Sequence, residues 1–169
     1  MEQKVVIEEV LVLDEYMGQL SELLVQVVED GASIGFLPPL GMSEARAYWD
    51  GVLQTECILF IAKVGNEISG TVQLHLNMKA NGCHRAEVAK LMTHPGFRRM
   101  GIGRQLMERL EEKAKSEGRS LLVLDTREGD PSNQLYRTMG YLEAGKIPNY
   151  AKSANGEFHA TIFYYKELD

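Results

Sequence analysis

The chain has 169 residues, 44% hydrophobic and 25% charged, which is enough apolar material for one compact core and ordinary for a globular protein. A formal net charge of −6 argues against a general nucleic-acid binder, which would present a basic face. No apolar run approaches the roughly 20 residues a spanning helix needs, no signal-peptide pattern opens the chain, and Cys57, Cys83 and the four histidines show no ligand spacing, so the expectation is a cytoplasmic protein with no membrane partner and no metal.

Val5 to Val10 reads as a first strand. Asp14 is placed to cap a helix running to about Asp30, with Leu20, Leu23, Leu24, Val27 and Val28 on its apolar face and Gly31 as its stop. The glycine- and proline-punctuated stretch from Gly31 to Gly41 is a loop of unusually apolar character. Phe36, Leu37 and Leu40 either cover part of a site or plug the core. Ser43 is placed to cap a second helix through about Gln54.

Ile58 to Val64 and Glu67 to Leu76 are strand runs joined by the turn signal Gly65-Asn66. Asn81-Gly82 marks another turn, and Arg85 to Thr93 is the next strand. A helical face follows in Ile102, Leu106, Leu110 and Ala114, ending near Gly118. Leu121 to Leu124 is the short apolar run of a buried strand, leading into Asp125-Thr126. Asp130 and Pro131 open a helix that ends by Gly140. Tyr141 to Ala144 and Phe158 to Lys166 read as the last strands, with a polar loop between them around Pro148-Asn149-Tyr150. The alternation predicts an α/β fold with a mixed sheet of about seven strands and about four helices on its two faces, as a single domain over residues 1–169.

The chemistry concentrates in Arg98-Arg99-Met100-Gly101-Ile102-Gly103-Arg104, between a strand, a turn at His94-Pro95-Gly96, and a helix. The first turn of a helix has unpartnered N–H groups and about half a positive charge from the helix dipole. The two glycines remove side chains that would block a close approach, and the arginines add full charge. Together these suit a phosphate or pyrophosphate. Two glycines at a helix start are weak evidence alone. The dinucleotide fingerprint is excluded, because its third glycine is Leu106 here, and the Gly-Lys-Ser/Thr of a nucleoside-triphosphatase loop is absent.

The pattern Arg-x-x-Gly-x-Gly, after Leu91-Met92-Thr93-His94-Pro95, resembles the acetyl-CoA motif of the GNAT superfamily of N-acetyltransferases. The resemblance extends over nearly the whole order of elements and implies the acetyltransferase fold. It implies that the backbone amides of Arg99, Met100, Gly101, Ile102, Gly103 and Arg104 bind the pyrophosphate of acetyl-CoA, with Arg98 also among the coenzyme-binding residues. The pantetheine arm would pair with the strand at Leu91, Met92 and Thr93, and the Met92 amide would face the carbonyl oxygen of the acetyl group.

Acetyl transfer from a thioester to an amine needs the amine deprotonated, charge on the carbonyl oxygen stabilised, and the leaving thiolate protonated. Tyr136, in Leu135-Tyr136-Arg137-Thr138-Met139-Gly140-Tyr141, matches the tyrosine of the family's Leu-Tyr-x-x-x-Gly-Phe/Tyr segment and is the candidate acid. A phenol with a pKa near 10 keeps its proton at neutral pH. Seven residues before it, where many members have Asn, stands Gly129, so Asn133 or Ser132 is the substitute contact to the coenzyme. Glu87 and Asp125 are the candidate bases, Glu87 on the coenzyme strand and Asp125 beside the gap a parallel pair would open. Each is otherwise an exposed strand-end charge.

Gly31 to Leu40, His84-Arg85-Ala86-Glu87-Val88, Leu122 to Arg127 and Ile147-Pro148-x-Tyr150-Ala151 resemble the tabtoxin-resistance branch of that superfamily, which acetylates a small β-lactam amino acid and in which acids matching Glu87 and Asp125 are the suggested bases. The expected function is therefore acetyl-CoA-dependent N-acetylation of a small-molecule amine, with a peptide or protein amine, or a non-catalytic acyl-CoA sensor, as the competing readings. The oligomeric state is left open, a homodimer among the options.

Overall fold

The computed structural model describes residues 3–54 and 56–169. Among them the chain runs β1 (Val5–Val10), α1 (Met17–Glu29), α2 (Met42–Asp50), β2 (Cys57–Val64), β3 (Glu67–Leu76), β4 (Arg85–Thr93), α3 (Ile102–Ser116), β5 (Leu121–Arg127), α4 (Ser132–Thr138), β6 (Leu142–Lys152) and β7 (Phe158–Glu167). The strands form one seven-stranded sheet in the order β1-β2-β3-β4-β5-β7-β6. Only β4 and β5 run parallel; the other neighbours are antiparallel. No helix among the described residues is long and apolar enough to cross a membrane.

Strand alternation divides the buried side chains between two cores, one on each face of the sheet. Leu59 and Ile61 of β2 join Leu20, Leu24, Val27, Val28 and Trp49 under α1 and α2. Phe60, Ala62 and Val64 of the same strand face the opposite way and pack with Ile102, Leu106, Met107 and Leu110 of α3. The indole of Trp49 donates to the Leu20 carbonyl at 2.9 Å, tying α2 to α1.

Several expected details differ. α1 and α2 start from Tyr16 and Gly41 without a side-chain cap, so neither Asp14 nor Ser43 serves that role. The Asp130 side chain binds Arg127 at 3.0 Å, and Pro131 occupies the cap position of α4. The stretch around Pro148 is strand, not loop: β6 continues to Lys152 along β7 with irregularities at Glu143/Gly145 and Ile147/Ala151. An edge strand tolerates a proline, and Pro148 and Asn149 (φ +56°) both fall within the second irregularity.

The join between sheet and α3 is tight at Gly70 of β3. A Cβ there would lie 2.7 Å from the Met92 carbonyl oxygen and 2.9 Å from the Ile102 side chain. Neither backbone nor a fully packed isoleucine yields easily. Gly70→Ala is expected to cost about 1–3 kcal/mol, read as a lower urea midpoint at unchanged slope. An unaltered midpoint would show that β4 and α3 move apart freely.

Candidate active site

The site begins with an extra residue in β4. Thr71 pairs with Met92 and Gln73 with Ala89, so Val72 alone stands against both Lys90 and Leu91. Lys90 takes a left-handed backbone (φ +55°), which costs a non-glycine residue on the order of 1–2 kcal/mol. The bulge reverses the alternation. Ala86 and Val88 face the α3 core, and after the bulge Leu91 packs there while Met92 turns to the α1/α2 core. It also marks where β4 leaves β5. Their parallel pairing covers only Arg85↔Leu121, Ala86↔Leu122 and Glu87↔Val123, whereas β5 stays bonded to β7 as far as Arg127↔Thr161. A wedge opens past Glu87, with Asp125 two residues beyond the last paired residue of β5.

That wedge is a cleft of about 340 Å³ into which Glu87, Lys90, Asp125 and Tyr136 all face, with residues 32–35 of the α1–α2 loop and Tyr150 of β6 on its other walls. Burial at the cleft wall pushes the Glu87 carboxyl above its ordinary range; Asp125 pushes it further and Lys90 opposes. Burial raises Asp125 as well, again against Lys90. Both acids keep solvent access through the cleft. Tyr136 is only 5% exposed, its ring near those of Tyr141 (5.7 Å) and Tyr164 (6.0 Å). Burial, with the Asp125 charge second, holds its phenol above the usual tyrosine range, so it is a proton donor at neutral pH.

A second groove, about 860 Å³, runs along the glycine loop. Leu91, Thr93, Arg98, Arg99, Gly101, Ile102, Gly103 and Arg104 line it together. Arg99 (φ +65°) and Gly101 (φ +73°) both have left-handed backbones, which turns the loop into a concave run of amides. The first bond of α3 in this region runs from Gln105 N to Gly101 O at 3.1 Å, leaving the amides of Ile102, Gly103 and Arg104 outside the helix ladder. No carboxylate occupies this first turn. Space around Gly101 is open to 4 Å, so the loop itself does not fill the groove. These features fit a pyrophosphate.

Other expected contacts fall elsewhere. The Met92 side chain is core, and neither it nor Met100 lines the groove. Arg98 is ion-paired to Asp30 at the end of α1, and Arg104 donates to the Thr138 hydroxyl at 2.8 Å, which divides their charge between groove and scaffold. Asn133 departs from the expected coenzyme contact. Its amide donates to the carbonyls of Arg127 and Asp130, both at 2.9 Å, and accepts from the Tyr164 hydroxyl at 2.8 Å. A buried asparagine with both ends engaged holds α4 to β5 and β7; Ser132 faces the groove instead.

Two residues given no role from sequence belong to the site. Arg127 ties its three sides together, binding Asp130 at 3.0 Å, the Ser153 hydroxyl at 3.0 Å and the Gly31 carbonyl at 3.0 Å. Lys90 enters through the bulge, for which the only sequence signal is the broken alternation between Val88 and Leu91-Met92.

A model of the acetyltransferase (GNAT) family matches residues 25–141. An uncharacterized N-acetyltransferase from the hisH-hisA intergenic region of Azospirillum brasilense is 33% identical over 104 residues, 60% of this chain and 62% of its own length. An N-acetyltransferase from Staphylococcus aureus Mu50 superposes with a TM-score of 0.84 at 17% identity, covering 98% of this chain and 99% of its own. The yncA protein of Salmonella typhimurium, solved with its cofactor acetyl-CoA, gives 0.81 at 16% identity, covering 98% and 95%. At such identities the structures share the fold.

Proposed function

The chain belongs to the acetyltransferase (GNAT) family, and from that premise we propose that it moves the acetyl group of acetyl-CoA to a primary amine of a small molecule. One observation carries the reading. The glycine-loop groove and the acidic cleft meet, sharing Ala32, Leu91, Arg127, Asp130 and Ser132 in their walls. A coenzyme held by its pyrophosphate at residues 99–104 and running along Leu91 would bring its thioester to the wedge where Glu87, Asp125 and Tyr136 face. The coenzyme supplies the activated acetyl group. Glu87 or Asp125 takes the proton of the incoming amine, and Tyr136 supplies one to the departing sulfur.

The loop at residues 32–35 roofs the cleft, which favours a small acceptor over a protein side chain. In the finer form of the proposal the acceptor is amino-acid-like, such as a β-lactam toxin, as the resemblance to the tabtoxin-resistance branch implies. The test is release of free thiol from acetyl-CoA across a panel of small amines, amino acids and peptides. Turnover confined to small amines supports the proposal. Turnover with peptides alone moves it to protein acetylation, and binding of acetyl-CoA without turnover makes the chain a sensor.

The groove has its own prediction. At Gly103 an added Cβ would meet Leu135 at 3.2 Å, and at Gly101 nothing in the protein opposes one except the backbone conformation. Glutamate at either position places a carboxylate among the amides. Since charge-assisted bonds are worth about 1.5–3 kcal/mol each, Gly101→Glu and Gly103→Glu are expected to weaken coenzyme A binding about 100-fold or more in calorimetric titration. Parental affinity in folded variants would place the pyrophosphate elsewhere.

A further inference from the structure

We propose that Lys90 is itself an acetyl acceptor: when no external amine occupies the cleft, its Nζ takes the acetyl group of acetyl-CoA and becomes an internal modification site. The inference rests on the acetyltransferase reading and goes beyond it, because a residue of the chain becomes the substrate.

The placement comes from the backbone. Without the bulge, the residue after Ala89 would follow Ala86 and Val88 into the α3 core; the left-handed turn at Lys90 brings its side chain to the cleft instead. Its Nζ reaches the roof, 3.4 Å from where a Cβ on Gly35 would lie. No carboxylate lies within 4.0 Å of that nitrogen among the described residues. Lys90 is thus a primary amine on the acceptor side of the wedge without a direct ion pair. The next residue, Leu91, lines both the cleft and the coenzyme groove.

The surroundings supply a proton acceptor for the amine and a proton donor for the sulfur. Burial favours the neutral amine, while Glu87 and Asp125, the two carboxylates facing it, favour the ammonium and are also the groups able to take its proton. His75, the β3 partner of Glu87, is pushed below the ordinary histidine range by burial first and by Lys90 second. In the step, the ammonium gives one proton to Glu87 or Asp125, and the freed lone pair forms the N–C bond to the thioester carbonyl carbon. The C–S bond breaks with its electron pair on sulfur, which takes a proton from Tyr136. Nitrogen sheds a second proton, which restores the Tyr136 hydroxyl, while the carboxylate passes the first to solvent, so the net change is one proton on coenzyme A and one in solvent. The acetamide removes the cation from the cleft and fills space beside Gly35, so the modification limits later turnover.

The full chain is incubated with isotopically labelled acetyl-CoA and no amine, then read by intact mass and peptide mapping. The expected result is one acetyl group per chain, on Lys90, appearing about tenfold or more faster than on the exposed Lys79 and Lys152. It is lost in Lys90→Arg, slowed by about 100-fold in Tyr136→Phe, and protected by excess coenzyme A, which leaves Lys152 unprotected. Lys90 unmodified in a preparation that acetylates an external amine overturns the inference alone. So does equal labelling of Lys79, Lys90 and Lys152, which is solution chemistry. If neither Lys90 nor any external amine accepts acetyl, the acetyltransferase reading falls with it.

Discussion

Tyr136→Phe is expected to lower kcat by about 10²- to 10⁴-fold while leaving acetyl-CoA affinity near the parental value. The substitution keeps the ring that packs near Tyr141 and Tyr164 and removes only the hydroxyl of a residue that lines the cleft. Protonating the departing coenzyme sulfur stops the thiolate from attacking the product again and helps the intermediate break down, and Tyr136 is a donor that burial and the Asp125 charge prevent from ionising. The loss therefore falls on the chemical step, so kcat and kcat/KM drop together and KM for the amine barely moves. Melting temperature and coenzyme titration separate this from a packing defect. Parental turnover in the folded variant would leave Tyr136 as a packing residue and the thiolate to be protonated by water.

Why some of this was legible in sequence and some was not follows from burial. β2 and β3 carry side chains into two cores, so their period-two pattern is strong, and α3 repeats its apolar residues every turn against the sheet. The glycine loop is readable because close approach by an anion demands particular residues at fixed spacing. β6 is exposed along nearly its whole length and pairs on one side only, so no alternation marks it and Pro148 reads as loop. Lys90 is hidden for another reason. On a regular strand its position belongs to the α3 core face, where a lysine looks misplaced, and only the pairing with β3 reveals the extra residue. Asn133 illustrates the reverse error: at a helix start it looks like a ligand contact, yet the neighbouring carbonyls and the Tyr164 hydroxyl use all its polar atoms. Glu87 and Asp125 are legible as candidates from their strand-end positions and the branch resemblance, but the effect of Asp125 on Glu87 appears only once the register puts them on one face.

That shared face sets the second large expectation. A base must be ionised to accept the amine's proton, so the rate falls as pH drops through its pKa. Burial raises both carboxyls, and Asp125 raises Glu87 further, so the acidic limb of kcat/KM should lie above the ordinary carboxylate value of about 4. Lys90 opposes the rise in both acids, and because both keep solvent access through the cleft, added salt should weaken these charge effects on the limb. Glu87 is the preferred base, since it stands on the coenzyme strand just before the wedge opens. Glu87→Gln preserves shape and removes the accepting charge; it is expected to flatten the acidic limb and cost about 10²-fold or more in kcat. Asp125 then pairs with the cationic amine before transfer, so Asp125→Asn mainly raises KM. Removing the Asp125 charge also lowers the Glu87 pKa, so the acidic limb of Asp125→Asn should move to lower pH, a shift that a purely structural aspartate would not produce. The converse pattern, with Asp125→Asn losing the limb and Glu87→Gln raising KM, exchanges the two roles. If both variants keep parental rates and pH profiles, neither carboxylate takes the proton, and the amine reaches the cleft already neutral.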